Sequence, residues 1–71
     1  MPELADEIKE QLRKVREVGS CNMLDVSGIQ YEANANECYA LVVYCDDINS
    51  LPRSERSGAW MRTLNKTFAD D

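Results

Sequence analysis

The chain has 71 residues, of which 44% are hydrophobic and 30% charged, with a formal net charge of −5, no histidine and three cysteines. That length allows one domain at most, because so short a chain buries only about 60% of the surface it exposes when unfolded. The apolar fraction argues against disorder, the acidic balance opposes direct binding to phosphate backbones, and the missing histidine removes Ser-His-Asp and Cys-His catalysis and imidazole metal sites.

The first segment, Glu3 to Val18, predicts an amphipathic helix, since Leu4, Ile8, Leu12, Val15 and Val18 recur at steps of four, four, three and three. Pro2 suits a first turn, and Glu3, Asp6 and Glu7 fall near the positive end of the helix dipole. Asp6 can pair with Lys9, and Glu10 with Arg13 or Lys14. Gly19 is placed to close the helix in a left-handed conformation, with a turn at Gly19-Ser20.

Cys21 to Asp25 reads as a junction in which Asn22 or Asp25 caps a second, short helix from Val26 to about Asn34, with Val26, Ile29 and Ala33 on one side. Gly28 weakens its first turns. Asn34-Ala35-Asn36 offers two residues tolerant of left-handed geometry, so a turn is expected before Glu37.

Cys38 to Ile48 suits either a buried strand or a helix. Helix is favoured, because Cys38, Leu41, Val42, Cys45 and Ile48 form a helical stripe and no second strand is there to pair with. Asn49-Ser50-Leu51-Pro52 ends it. A last helix follows from about Arg53 to Thr67, turning in either Trp60, Leu64 and Phe68 or Met61, Leu64 and Phe68. Asp70 and Asp71 are expected to fray. The fold class is therefore all-α, a single domain over residues 1–71 made of three to four short helices.

The N-terminus MPELADEIKE is charged where a secretory signal would be apolar, and an odd set of cysteines fits a reduced cytoplasm. Cys21, Cys38 and Cys45 lack the spacing of a zinc knuckle and read as small apolar residues. No apolar run approaches the roughly 20 residues that cross a bilayer. Asp46-Asp47 are adjacent carboxylates without a second acidic cluster, and Gly19, Gly28 and Gly58 are too scattered for a phosphate loop. No cofactor, no metal and no enzyme activity are expected.

The markers Val15-Arg16, Gly19, Asn22-Met23-Leu24-Asp25, Ile29-Gln30, Ala33 and Tyr39-Ala40-Leu41-Val42 carry a pattern of arginine, two residues, glycine, two residues, then Asn-Met-Leu-Asp. From Ile8 to Asp47 the chain thereby resembles a family of short proteins of Gram-positive bacteria and their bacteriophages, classed as a domain of unknown function. After Asp47 the proline-containing connection and the Trp60 helix depart from that pattern. The resemblance implies no catalytic residues and a mobile-element context, in which small acidic proteins act by blocking a larger host protein.

Charge is unevenly spread. Residues 1–20 sum to −1, residues 51–71 to +1, and residues 21–50 hold Asp25, Glu32, Glu37, Asp46 and Asp47 with no basic residue. A surface of one sign steers association with the opposite sign. The leading expectation is a non-enzymatic, phage-encoded inhibitor of the host cytoplasm. It would set Asp25, Glu32, Glu37, Asp46 and Asp47, with Tyr44 and Trp60, against a basic, nucleic-acid-binding surface of a host defence protein such as a CRISPR effector. The alternatives are that the carboxylates form only a solvated face and that Trp60, as a lone tryptophan, is a core residue. It makes no direct contact with nucleic acid and none with membrane. A second expectation is a self-associating assembly subunit or homodimer closing through Trp60, Leu64 and Phe68. A third is a helix-turn-helix regulator over Arg16 to Ala33, ranked last because Val26 to Asn34 carries Glu32 and no cation.

Overall fold

A computed structural model describes residues 3–19 and 22–69. Four helices follow one another, α1 (Asp6–Val18), α2 (Val26–Ala35), α3 (Tyr39–Asn49) and α4 (Arg53–Phe68), and no strand occurs among the described residues. The chain is an all-α bundle, and the ambiguous stretch after Cys38 is helix. Pro2, Ser20, Cys21, Asp70 and Asp71, for which a first turn, a turn, a junction and fraying were expected, lie outside the described residues.

Helix α1 starts at Asp6, so Asp6 and Glu7 occupy the first turn while Glu3 precedes it. Leu12 and Val15 are buried, Leu4 and Ile8 are half-buried, and Val18 is exposed because the helix end overhangs the core. Gly19 closes α1 at φ 72°, donating its N–H to Val15 O at 3.3 Å. Lys9 meets Asp6 at 4.0 Å. Arg13 instead donates to the carbonyl of Thr67 at 2.9 Å, tying α1 to the end of α4.

Before α2, the Asn22 side chain accepts the Leu24 N–H at 3.0 Å, and the Asn22 carbonyl accepts the Asp25 N–H, also at 3.0 Å. Asp25 occupies the cap position without a side-chain cap bond. At the other end the left-handed residue is Glu37, at φ 60°, rather than an asparagine. Asn36 stays at φ −99° and donates its side-chain amide to Glu32 O at 2.8 Å, while Cys38 donates its N–H to Ala33 O at 2.7 Å. The chain thus reverses in three residues and α3 returns along α2.

Helix α3 is the centre of the bundle, burying Leu41, Tyr44, Cys45 and Ile48. It has no side-chain cap of its own, and Gln11 of α1 takes that part, accepting the Leu41 N–H at 2.9 Å. An otherwise orphaned first-turn donor is thereby satisfied from a neighbouring helix. Helix α4 buries Ala59, Trp60, Thr63 and Thr67. Trp60, not Met61, turns inward, and Met61 is exposed. The two threonines are admitted to the core because each hydroxyl donates to the carbonyl four residues earlier, Thr63 to Ala59 at 3.0 Å and Thr67 to Thr63 at 2.8 Å.

Candidate partner-binding face

The seven residues expected to meet a partner do not share one surface. Tyr44 and Trp60 are each 2% exposed and are core residues. With the Thr63 proton directed at Ala59, the Tyr44 hydroxyl donates to Thr63 Oγ1, and the Trp60 indole N–H donates to Met23 O at 2.7 Å. A buried aromatic with a polar tip needs such a partner, and both tips are taken within the chain. Of the residues expected to close a self-association, Trp60 is covered, and Leu64 and Phe68 pack half-buried against the protein's own core, with the Arg16 guanidinium 4.5 Å from the Phe68 ring centre.

The acidic residues separate by helix geometry. Asp46 and Asp47 are exposed on α3, and Tyr39 and Val43, two turns and one turn earlier, are 57% and 61% exposed. Steps of four, three and four put Tyr39, Val43, Asp46 and Asp47 on one side of α3, away from Leu41, Cys45 and Ile48. On α2, Tyr31 lies opposite buried Ile29 and Ala33 and is 74% exposed. The two helices are joined side by side by Gln30, which donates to Val42 O at 3.3 Å and accepts from the Asn49 side chain at 3.4 Å. Gln30 therefore ties α2 to α3, with Tyr31 exposed on the one helix and Tyr39, Val43, Asp46 and Asp47 exposed on the other.

Glu37 is exposed at one end of this pair, in the turn. Asp25 is exposed at the other end, where it lines a groove of about 440 Å³ with Arg53, Arg56 and Met61 of α4. Glu32 is half-buried about 200° around α2 from Gln30. Asp46 and Asp47 are thus the exposed acidic pair of α3, and the exposed large apolar residues of α2 and α3 are Tyr31, Tyr39 and Val43, whereas Tyr44 and Trp60 are buried. The signal of Tyr31, Tyr39 and Val43 in the sequence was position, each falling opposite the buried stripe of its own helix.

Cys38, just before α3, and Cys45 within it are both interior. Cys38 is 3% exposed, and burial pushes the Cys45 thiol up from 9.0 to about 12. A thiol so raised is a poor nucleophile at neutral pH. Among the described residues, no group of three His, Cys, Asp or Glu side chains is placed to hold a metal ion, and no helix is long and apolar enough to cross a membrane.

A family profile described as Domain of unknown function (DUF5049) matches residues 4–50, which span α1, α2 and α3 and stop short of α4. No curated protein and no solved structure matches the chain.

Proposed function

We propose, from the premise that this chain belongs to the DUF5049 family, that it is a non-enzymatic binding protein whose α2–α3 face covers a basic surface of a larger protein. The observation that carries the reading is the pairing of three exposed anchors, Tyr31, Tyr39 and Val43, with Asp46 and Asp47 in a stretch, residues 21–50, that contains no cation. Scattered apolar side chains on a surface are ordinary, but several on one helix-pair face beside charge of a single sign match the anchor-and-rim plan of protein interfaces. Carboxylates ranged on a rigid helix stand where phosphates would on a nucleic acid, so the class of partner is a protein with a nucleic-acid-binding groove. In its sharpest form the protein is a phage-encoded inhibitor of a host defence complex such as a CRISPR effector, acting in the host cytoplasm. It binds neither nucleic acid nor membrane itself.

The test is capture from a Gram-positive host lysate at low and high salt, followed by competition with nucleic acid. A nucleic-acid-binding protein retained at low salt, displaced by its own nucleic acid, and lost when the bait carries Asp46→Lys, Asp47→Lys and Tyr31→Ala supports the reading. Retention unchanged by those three substitutions refutes it.

A further inference from the structure

All eight cations of the chain fall in or beside α1 and α4, and none in α2 or α3. Among the described residues Lys9 meets Asp6, and Arg13 and Arg56 donate to backbone carbonyls. One place gathers cations from both helices. A groove of about 440 Å³ between the start of α1 and the middle of α4 is lined by Lys9, Arg62 and Lys66, together with Leu4 and Glu3. Its floor is formed by Tyr44 and Thr63, whose hydroxyls are satisfied by each other and by Ala59. The floor is therefore closed and neutral, and charge is left to the walls.

Arg62 and Lys66 stand one turn apart on the same side of α4, and neither has an ion-pair partner among the described residues. Side chains at that spacing reach one ligand together. Lys9 approaches from α1, held only by a 4.0 Å contact to a fully exposed Asp6 carboxylate, the sort of pair a competing anion displaces readily. An arginine fork and two ammonium groups converging from two helices suit the tetrahedral, multiply charged oxygens of a phosphoryl group better than a single carboxylate.

We propose that this groove binds the phosphoryl group of a small phosphate ester or pyrophosphate, held by Lys9, Arg62 and Lys66, with Glu3 opposing the bound charge at its rim. The site is independent of the α2–α3 face. It also depends on a helix beyond the residues matched to the family, since Arg62 and Lys66 belong to α4. A ligand bridging α1 and α4 draws them together and so stabilises the docked helix.

The experiment is titration of the labelled full chain with inorganic pyrophosphate and, separately, adenosine 5′-monophosphate, followed by backbone amide shifts and thermal melting. Saturable shifts centred on Lys9, Arg62 and Lys66, with a rise in Tm, are expected. Arg62→Ala and Lys66→Ala, both at exposed positions, should each weaken binding by about two- to fivefold, and Glu3→Gln should strengthen it by a similar factor. Equal responses to the two probes identify the bare phosphoryl group as the recognised element, and a stronger nucleotide response adds contacts from Leu4; both support the site. Absence of saturable shifts there at millimolar probe, or shifts that survive loss of both Arg62 and Lys66, overturns it. Asp46→Lys with Asp47→Lys should leave pyrophosphate binding in place, so failure here is distinct from failure of the α2–α3 face.

Discussion

The indole of Trp60 donates its N–H to the carbonyl oxygen of Met23 at 2.7 Å, across 37 residues of chain. That bond pins α4 to the connection between α1 and α2, and it joins a residue inside the family match to one beyond it. Trp60→Phe keeps most of the apolar volume and leaves the Met23 carbonyl unpaired, so a loss of about 1–2 kcal/mol is expected in urea unfolding. Trp60→Ala adds a cavity and should cost about 3–5 kcal/mol, a large share of the stability of so small a domain. Equal effects of the two substitutions would remove the hydrogen bond from the account.

Tyr31→Ala and Val43→Ser should behave in the opposite manner. Both side chains are mostly exposed, so stability should change by no more than about 0.5 kcal/mol. Partner capture should nevertheless fall, because anchors matter only when covered. A substantial drop in Tm for either variant would make the residue part of the fold and not of the docking face.

Two left-handed positions offer substitutions of opposite sign. Glu37 at φ 60° holds a conformation that costs an L-residue about 1–2 kcal/mol, so Glu37→Gly should stabilise the chain by up to about 1 kcal/mol. Gly19 at φ 72° already uses the residue that fits, and Gly19→Ala should destabilise by about 1 kcal/mol. Chemical denaturation of the two variants, each beside wild type, reads both signs.

Cys45 predicts a pH dependence. Its buried thiol is pushed from 9.0 up to about 12, while the unfolded chain ionises near the ordinary value. Because the folded pKa is the higher one, the contribution is complete below about pH 9 and is lost as pH rises towards 12. Stability should decline across that window less steeply in Cys45→Ala, once the cost of the smaller side chain is subtracted. Alkylation of Cys45 at neutral pH should require unfolding, and fast labelling of the folded chain would contradict its burial.

The helices were legible because apolar spacing and chain breakers agreed. Leu12 and Val15 on α1, Ile29 and Ala33 on α2, and Leu41, Cys45 and Ile48 on α3 all fell on the predicted inner faces, and Gly19 and Pro52 sit at the boundaries they imply. The candidate face was only half legible. Asp46 and Asp47 were visible as charge, but Tyr44 and Tyr39 differ by which side of α3 they occupy, and neighbouring helices decide that. Thr63 and Thr67 escaped notice because a threonine that bonds its own helix backbone loses most of its polarity, which composition does not reveal. Glu37 escaped because asparagine is the commoner left-handed residue, whereas the three-residue reversal places that geometry one position later.

Helix α4 leaves the ribosome after α1, α2 and α3. Ala59, Trp60, Thr63 and Thr67 complete a core whose other members have all been synthesised by Ile48. At about 5–20 residues per second, the 18 residues from Leu51 to Phe68 take roughly one to four seconds to be added. For that interval the nascent chain carries the inner sides of α1 and α3 uncovered, with Leu12, Tyr44 and Cys45 lacking the helix that later closes over them. A newborn copy is therefore open to chaperones, or to a partner's helix in place of its own, in a way the finished molecule is not.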